Sequence, residues 1–169
     1  ITLNQMMVTK VYVDDTIFDV TGNGYEPKGN IVKDGAIVEH VNHPDMMMVG
    51  RISSFTAFAK TAFSEEKKQW QRISGDPTDA ALLTFSSKLG FIQEALEREN
   101  PKLFDAPFNS SLKYHAVIHN VSGSAVLSVV GAPESVLARS LYIWRDGKEV
   151  PLTKPEKEKL ESMLLSLSK

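Results

Sequence analysis

Apolar and polar positions change their period several times along the chain, and each change predicts an element. Met6 to Val13, rich in Val, Thr and Tyr, reads as a strand ending at Asp14-Asp15. Thr16 to Val20 reads as a second strand, stopped by Thr21-Gly22-Asn23-Gly24. Pro and Gly punctuate Tyr25 to Gly29 as a loop, and Ile31 to Val41 carries a further strand or ragged extended chain. Between Asp45 and Phe63 the period lengthens: Met48, Ile52, Phe55, Phe58, Ala59 and Ala62 share one helix face, and the polar Ser64 to Gln69 ends it. Trp70 to Ile73 reads as a short strand.

Asp76-Pro77-Thr78-Asp79 is a complete helix start. Asp76 suits the N-cap, Pro77 needs no N–H at the first helical position, and Asp79 meets the positive end of the helix dipole. That helix runs from Ala80 to Lys88 and stops at Gly90; a second covers Phe91 to Asn100, before Pro101. Lys102 to Val130 reads as strands, with a hairpin turn at Val121-Ser122-Gly123-Ser124. Pro133 to Ser140 is a short helix. Thr153-Lys154-Pro155-Glu156 opens a last helix as a capping box, with Leu160, Met163, Leu164 and Leu167 as its apolar stripe. Strands, helices, strands and helices in that order predict an α+β fold with a largely antiparallel, twisted sheet flanked by helices.

Composition narrows the function classes. At 169 residues, 42% apolar and 24% charged, the chain can bury a single core without staples, which argues against disorder, collagen and coiled coil. A net charge of −2 supplies no general basic field for nucleic acid or an anionic membrane. The absence of cysteine excludes disulfides, zinc–thiolate and iron–sulfur sites and cysteine nucleophiles. No apolar run is long enough to span a bilayer, and the start at Ile1 lacks a signal-peptide pattern. A chain that starts this way reads either as a piece of something longer or as a processed product. Met46-Met47-Met48 reads as core rather than as a soft contact face for a neighbouring domain.

Common catalytic patterns are missing. Ser122-Gly123-Ser124-Ala125 lacks the spacing of a nucleophile elbow, and a hairpin turn explains it better. Gly24-Tyr25-Glu26-Pro27-Lys28-Gly29 is no phosphate-binding Walker loop, since its lysine precedes the second glycine and no helix follows. His40, His43 and Asp45 read as polar loop residues before they read as metal ligands. His115 and His119 share a strand face with no nucleophile beside them.

Three strings stand out: Ser74-Gly75-Asp76-Pro77-Thr78-Asp79-Ala80-Ala81-Leu82, Pro107-Phe108-Asn109-Ser110-Ser111-Leu112-Lys113-Tyr114, and Val130-Gly131-Ala132-Pro133-Glu134. In this order they resemble the nucleotide-binding domain of P-type cation-pumping ATPases of the calcium and sodium/potassium pump types. The start Ile1-Thr2-x-Asn4-x-Met6 is similar to the chain just after that family's phosphorylated aspartate, and Gly22-x-Gly24-Tyr25-x-Pro27-x-Gly29 is familiar from it as well. The resemblance covers essentially the whole chain. It implies a single nucleotide-binding domain over 1–169, excised from a larger membrane pump. Residues 1–8 and the C-terminal end would lie near the hinge to a phosphorylation domain outside the chain.

The resemblance also implies roles. Phe108 would stack on adenine, an interaction worth about 1–3 kcal/mol. Lys113 would place a point charge near the phosphates. Asp79 stands where the family has Glu reaching the adenine amino group; it is one methylene shorter, a gap that a bridging water can fill. Gly131 and Ala132 are small and would let the purine approach the backbone, while Ser110 stands where calcium pumps often carry arginine. Gly75, Asp76, Pro77 and Thr78 form the helix-cap motif beside the site. The family's Lys-Gly-Ala-Pro-Glu begins here with Val130, which has no charge; losing a charged partner costs about 1.5–3 kcal/mol, or roughly ten- to a hundredfold in affinity. The expectation is weak ATP binding, or compensation by His115 or Lys113. ATP with magnesium is the expected ligand, and the phosphorylation and actuator domains of the parent chain are the expected partners. The chain is expected to be monomeric, to lie at the cytoplasmic face of a membrane, and not to hydrolyse ATP by itself. The alternative is a module with this fold that has lost useful ATP affinity and serves in interdomain or regulatory contacts.

Overall fold

The computed structural model describes residues 5–167. The Ile1-Thr2-x-Asn4 part of the opening string lies outside them. Among the described residues every strand pairing is antiparallel, and the strands fall into four separate ladders. The first is a four-stranded meander of β1 (Lys10–Val13), β2 (Thr16–Val20), β3 (Ile31–Lys33) and β4 (Ala36–Val38). A hairpin of β5 (Lys60–Ser64) and β6 (Gln69–Ser74) follows. The third ladder is β7 (Lys102–Asn109), β8 (Tyr114–Val121) and β9 (Ser124–Gly131), and the fourth is the hairpin of β10 (Tyr142–Arg145) and β11 (Lys148–Pro151). Helices α1 (Pro44–Thr56), α2 (Pro77–Lys88), α3 (Gln93–Glu99), α4 (Pro133–Arg139) and α5 (Lys154–Leu167) complete the α+β fold.

Helix α1 is the hub. It packs on α2 and α3, and also on β8 and β9. On one side Met46 joins Val11, Phe18, Val20, Ile31, Phe85 and Leu89 in a core shared by the first ladder, α1 and α2. Met46 is fully buried there, so the methionine run opens into the core. On the other side Phe55 stacks on His119 of β8, with ring centroids 4.1 Å apart. A second cluster of Tyr25, Ala57, Ala59, Ala80 and Leu83 lies where β5 and α2 meet. Buried Lys88 ties the Thr21 to Gly29 loop to α2 by donating to the Thr21 carbonyl at 2.9 Å.

Several boundaries differ from the periodicity: β1 starts at Lys10 rather than Met6, and α3 covers Gln93–Glu99 rather than Phe91 to Asn100. Helix α1 stops at Thr56 instead of running to Phe63, because Ala57 turns extended and Lys60–Ser64 is drawn into the ladder with β6. Phe58, Ala59 and Ala62 keep the helical spacing but leave the helix, and the polar stretch after Ser64 is a hairpin turn. The extended region after Ile31 is two strands joined at Asp34-Gly35. The periodicity predicts no strands for the hairpin of β10 and β11, although Asp146-Gly147, with φ of 50° and 74°, is a turn pair of the type I′ kind. One half of the final capping box forms: the Glu156 carboxylate accepts from the Thr153 N–H at 2.9 Å, and it also accepts from the Thr153 hydroxyl at 2.7 Å.

Candidate functional site

The start of α2 builds one wall of a cleft. The Asp76 carboxylate accepts from the Thr78 N–H at 2.7 Å, and Pro77 fills the first helical position. Gly75 precedes the cap with φ of +89°, and a Cβ there would lie 2.1 Å from the Phe58 carbonyl oxygen. This close approach sets α2 against the link between α1 and β5. Across it the Phe58 N–H donates to Asp79 Oδ2 at 3.3 Å. Burial raises the Asp79 pKa and neighbouring Asp76 adds to this, while the Phe58 N–H and the nearby His115 oppose it.

That shift has a checkable sign. A carboxyl whose folded pKa is raised contributes stability that is complete below its unfolded value, about 3.8, and is lost as pH rises through the folded value. At neutral pH the charged Asp79 is therefore held at a cost, as functional carboxylates often are. Asp79→Asn keeps an acceptor for the Phe58 N–H, so its thermal midpoint is expected to equal or exceed that of the native chain at pH 7. The gap should shrink toward about pH 4, as the native carboxyl takes up its proton. A variant less stable at pH 7 would show that the charge stabilises the fold.

The second wall comes from the turn between β7 and β8. Asn109 Oδ1 accepts from the N–H groups of Ser111 and Leu112, both at 2.9 Å, which fixes the turn. Phe108 just before it is 66% exposed. Lys113 ends the turn with φ of 58°, donates its N–H to the Asn109 carbonyl at 2.7 Å and accepts from the Ala132 N–H at 2.8 Å. Its ammonium pairs with Glu134 Oε1 at 3.3 Å. The Glu134 N–H and the Lys113 ammonium hold the Glu134 carboxyl below its usual range.

Strands β8 and β9 form the floor, where His115 lies opposite Val130 and Tyr114 opposite Gly131. Gly131 is packed so tightly that a Cβ would come within 2.4 Å of the Lys113 carbonyl and of Tyr114 Cβ. Its small size is therefore a packing requirement of this strand pair. Ala132 caps α4. His115 is only 8% exposed, and its buried Nε2 has no hydrogen-bond partner.

These walls enclose a cavity of about 750 Å³. Asp79, Phe108, Lys113, His115, Gly131 and Ala132 all line it, as do Asp76 and Thr78 of the cap. Ser110, Gly75 and Pro77 are not among the lining residues: Ser110 lies exposed in the turn, and the other two shape the approach to α2. Sequence reasoning missed Phe58, Leu82, Asp105 and Pro107 as lining residues. Leu82 was readable, since it falls three residues after Asp79 on the same helix face. Phe58 was not, because its spacing placed it on α1. Asp105 carried no signal, and it pairs with Lys102 at 3.6 Å.

The arrangement offers an exposed aromatic face, a half-buried acceptor and a cation at one end. Val130 adds neither charge nor hydrogen bond. Among the described residues no nucleophile–base pair lines the cavity, and no group of three or more His, Asp or Glu could hold a metal. No helix among them is long and apolar enough to cross a membrane.

Comparison with known proteins points in one direction. Residues 50–169 match the family described as P-type ATPase, cytoplasmic domain N. The chain is similar to a calcium-transporting ATPase of Bacillus subtilis (strain 168), 31% identical over 99% of this chain and 18% of that protein. It is similar to the cation-transporting ATPase pma1 of Synechocystis, 30% identical over 96% of this chain and 18% of that protein. It also matches the sodium/potassium-transporting ATPase subunit alpha-A of Artemia franciscana, 28% identical over 99% of this chain and 16% of that protein. The chain thus spans about a fifth of the length of the relatives it matches.

Proposed function

Since the chain belongs to the family of P-type ATPase cytoplasmic N domains, we propose that its cavity binds ATP. Adenine stacks on Phe108, Asp79 accepts from the purine amino group directly or through a water, and Lys113 meets the phosphates. The observation that carries this reading is the convergence of three chemistries on one cavity: an aromatic ring left largely in water, a carboxylate held at a cost, and a lysine at the rim. A half-buried carboxylate and an exposed ring are both unfavourable for the free fold, and a bound base relieves both.

In this reading the parent protein is an ATP-driven cation pump with the N domain on the cytoplasmic side of its membrane. The domain carries the γ-phosphate to an aspartate in a phosphorylation domain outside this chain, where a covalent aspartyl-phosphate forms. Magnesium would travel with the phosphates and neutralise their charge there. Among the described residues no nucleophile–base pair lines the cavity, so the chain by itself is expected not to hydrolyse ATP. The actuator domain of the parent is a further partner.

Binding is weak in this reading. Val130 leaves the floor uncharged, and Glu134 competes with phosphate for Lys113. Titration of the isotope-labelled chain with ATP is the test. Amide shifts should cluster at Asp79, Phe108, Lys113 and Gly131, with a dissociation constant in the high micromolar to millimolar range. No shifts at millimolar ATP would overturn the reading and favour a module that keeps the fold without its ligand.

A further inference from the structure

Resting on the reading of the cavity as a nucleotide site, we propose that Phe58 is a second base-contacting residue, forming with Phe108 an aromatic surround for the purine. Phe58 lies in the link between α1 and β5 and lines the same cavity as Phe108. Three contacts hold it. Its N–H donates to Asp79 Oδ2 at 3.3 Å, which fixes its backbone beside the acid. Its ring lies 5.2 Å from the His115 ring at a tilt of 58°. The Lys102 ammonium sits 4.7 Å from its centroid. Despite these contacts the ring remains 38% exposed.

A ring held this firmly yet left open to a cavity is arranged to lose water to a ligand. The groups around it say which part of a ligand that is. Asp76, Asp79 and Asp105 line the cavity with it, and Lys102 is drawn toward Asp105, so this region disfavours phosphate. Val130 on the floor brings no cation. A flat, uncharged, aromatic group with hydrogen-bond donors on its edge fits: the base, stacked or edge-on against Phe58 with its amino group toward Asp79. His115 lines the same cavity beside Phe58, and its buried Nε2, without a partner, is a further polar group for a base edge. With no cation at Val130, the affinity of this cavity depends on two rings rather than one.

The test is a titration of the 169-residue chain with ATP, comparing the native protein with Phe58→Leu, Phe58→Tyr and Phe108→Ala. Phe58→Leu keeps an apolar side chain but no ring, and should weaken ATP binding about tenfold. Phe58→Tyr keeps the ring and should bind within about twofold of the native chain. Tripolyphosphate should shift the Lys113 amide equally in all of them. Nuclear Overhauser contacts from the Phe58 ring to the purine H2 or H8 should appear in the native complex, and they decide the matter even if Phe58→Leu fails to fold. Native-like affinity in a folded Phe58→Leu, or purine contacts to Phe108 alone, overturns this inference and leaves the nucleotide site standing. Absence of ATP binding by the native chain overturns both.

Discussion

Gly131→Ala is expected to lower the stability of the domain by about 3 kcal/mol, at the upper end of what overpacking costs. For a chain of this size that is a fall of roughly 6–12 °C in thermal midpoint. The argument is steric. The added Cβ would lie 2.4 Å from the Lys113 carbonyl oxygen, 2.4 Å from Tyr114 Cβ and 2.5 Å from Tyr114 Cα. Backbone atoms cannot swing aside as the end of a flexible side chain can. Both strands are also pinned, since Gly131 is paired with Tyr114, and the next residue, Ala132, donates to the Lys113 carbonyl at 2.8 Å. Lys113 already sits at φ of 58°, so it has little room to give. Pushing β9 away would move Lys113 and the cavity floor together, and ATP affinity should fall with stability. Thermal unfolding followed by circular dichroism checks this. A fall of less than about 2 °C would mean that the strand pair can open without cost, and that Gly131 is small for the ligand alone.

Phe108→Ala is expected to do the opposite: little change in stability and a large loss of binding. The ring is 66% exposed, so its removal leaves no cavity in the core and takes away little buried area. Stacking of a base on such a ring contributes about 1–3 kcal/mol, so ATP affinity should drop about thirtyfold at the middle of that range. Calorimetric or NMR titration beside a melting curve separates the two effects. Affinity within twofold of the native chain would place adenine elsewhere in the cavity. A large loss of stability would make Phe108 a structural residue despite its exposure.

Together with Asp79→Asn, these variants separate what the cavity does for the fold from what it does for a ligand. Gly131 belongs to the fold first. In the proposed reading Phe108 serves the ligand. Asp79 bridges α2 and the Phe58 link, yet it is charged where burial disfavours charge.

How legible the chain was depended on the range of the interactions involved. Local signals read true. The N-cap at Asp76, the hairpin at Ser122-Gly123 and the capping box at Thr153 and Glu156 each rest on hydrogen bonds or dihedrals within a few residues. Periodicity failed where the chain had to choose between two partners. Phe55, Phe58, Ala59 and Ala62 continue one helical stripe, but β6 offers Lys60–Ser64 a ladder and the helix ends at Thr56. A propensity of a few tenths of a kcal/mol per residue cannot decide such a contest. The Asp146-Gly147 turn was readable, but four-residue strands on either side carry too few positions to show alternation.

The sequence by itself determined the family strings, the antiparallel α+β character, the absence of cysteine and most of the residues that the fold gathers around one cavity. Those features live in residue identity and short spacing, which no packing arrangement alters. Only the tertiary structure decided that Phe58 belongs to the cavity, that Asp79 is tied to it across 21 residues, and that Lys113 faces Glu134. It also decided that Gly131 is small because Tyr114 presses on it. Phe58 and Asp79 come from separate segments joined by packing, and burial energy carries no record of sequence distance. The contacts of Lys113 and Gly131 lie across the β8–β9 pairing, where the fit of atoms rather than residue identity decides the outcome.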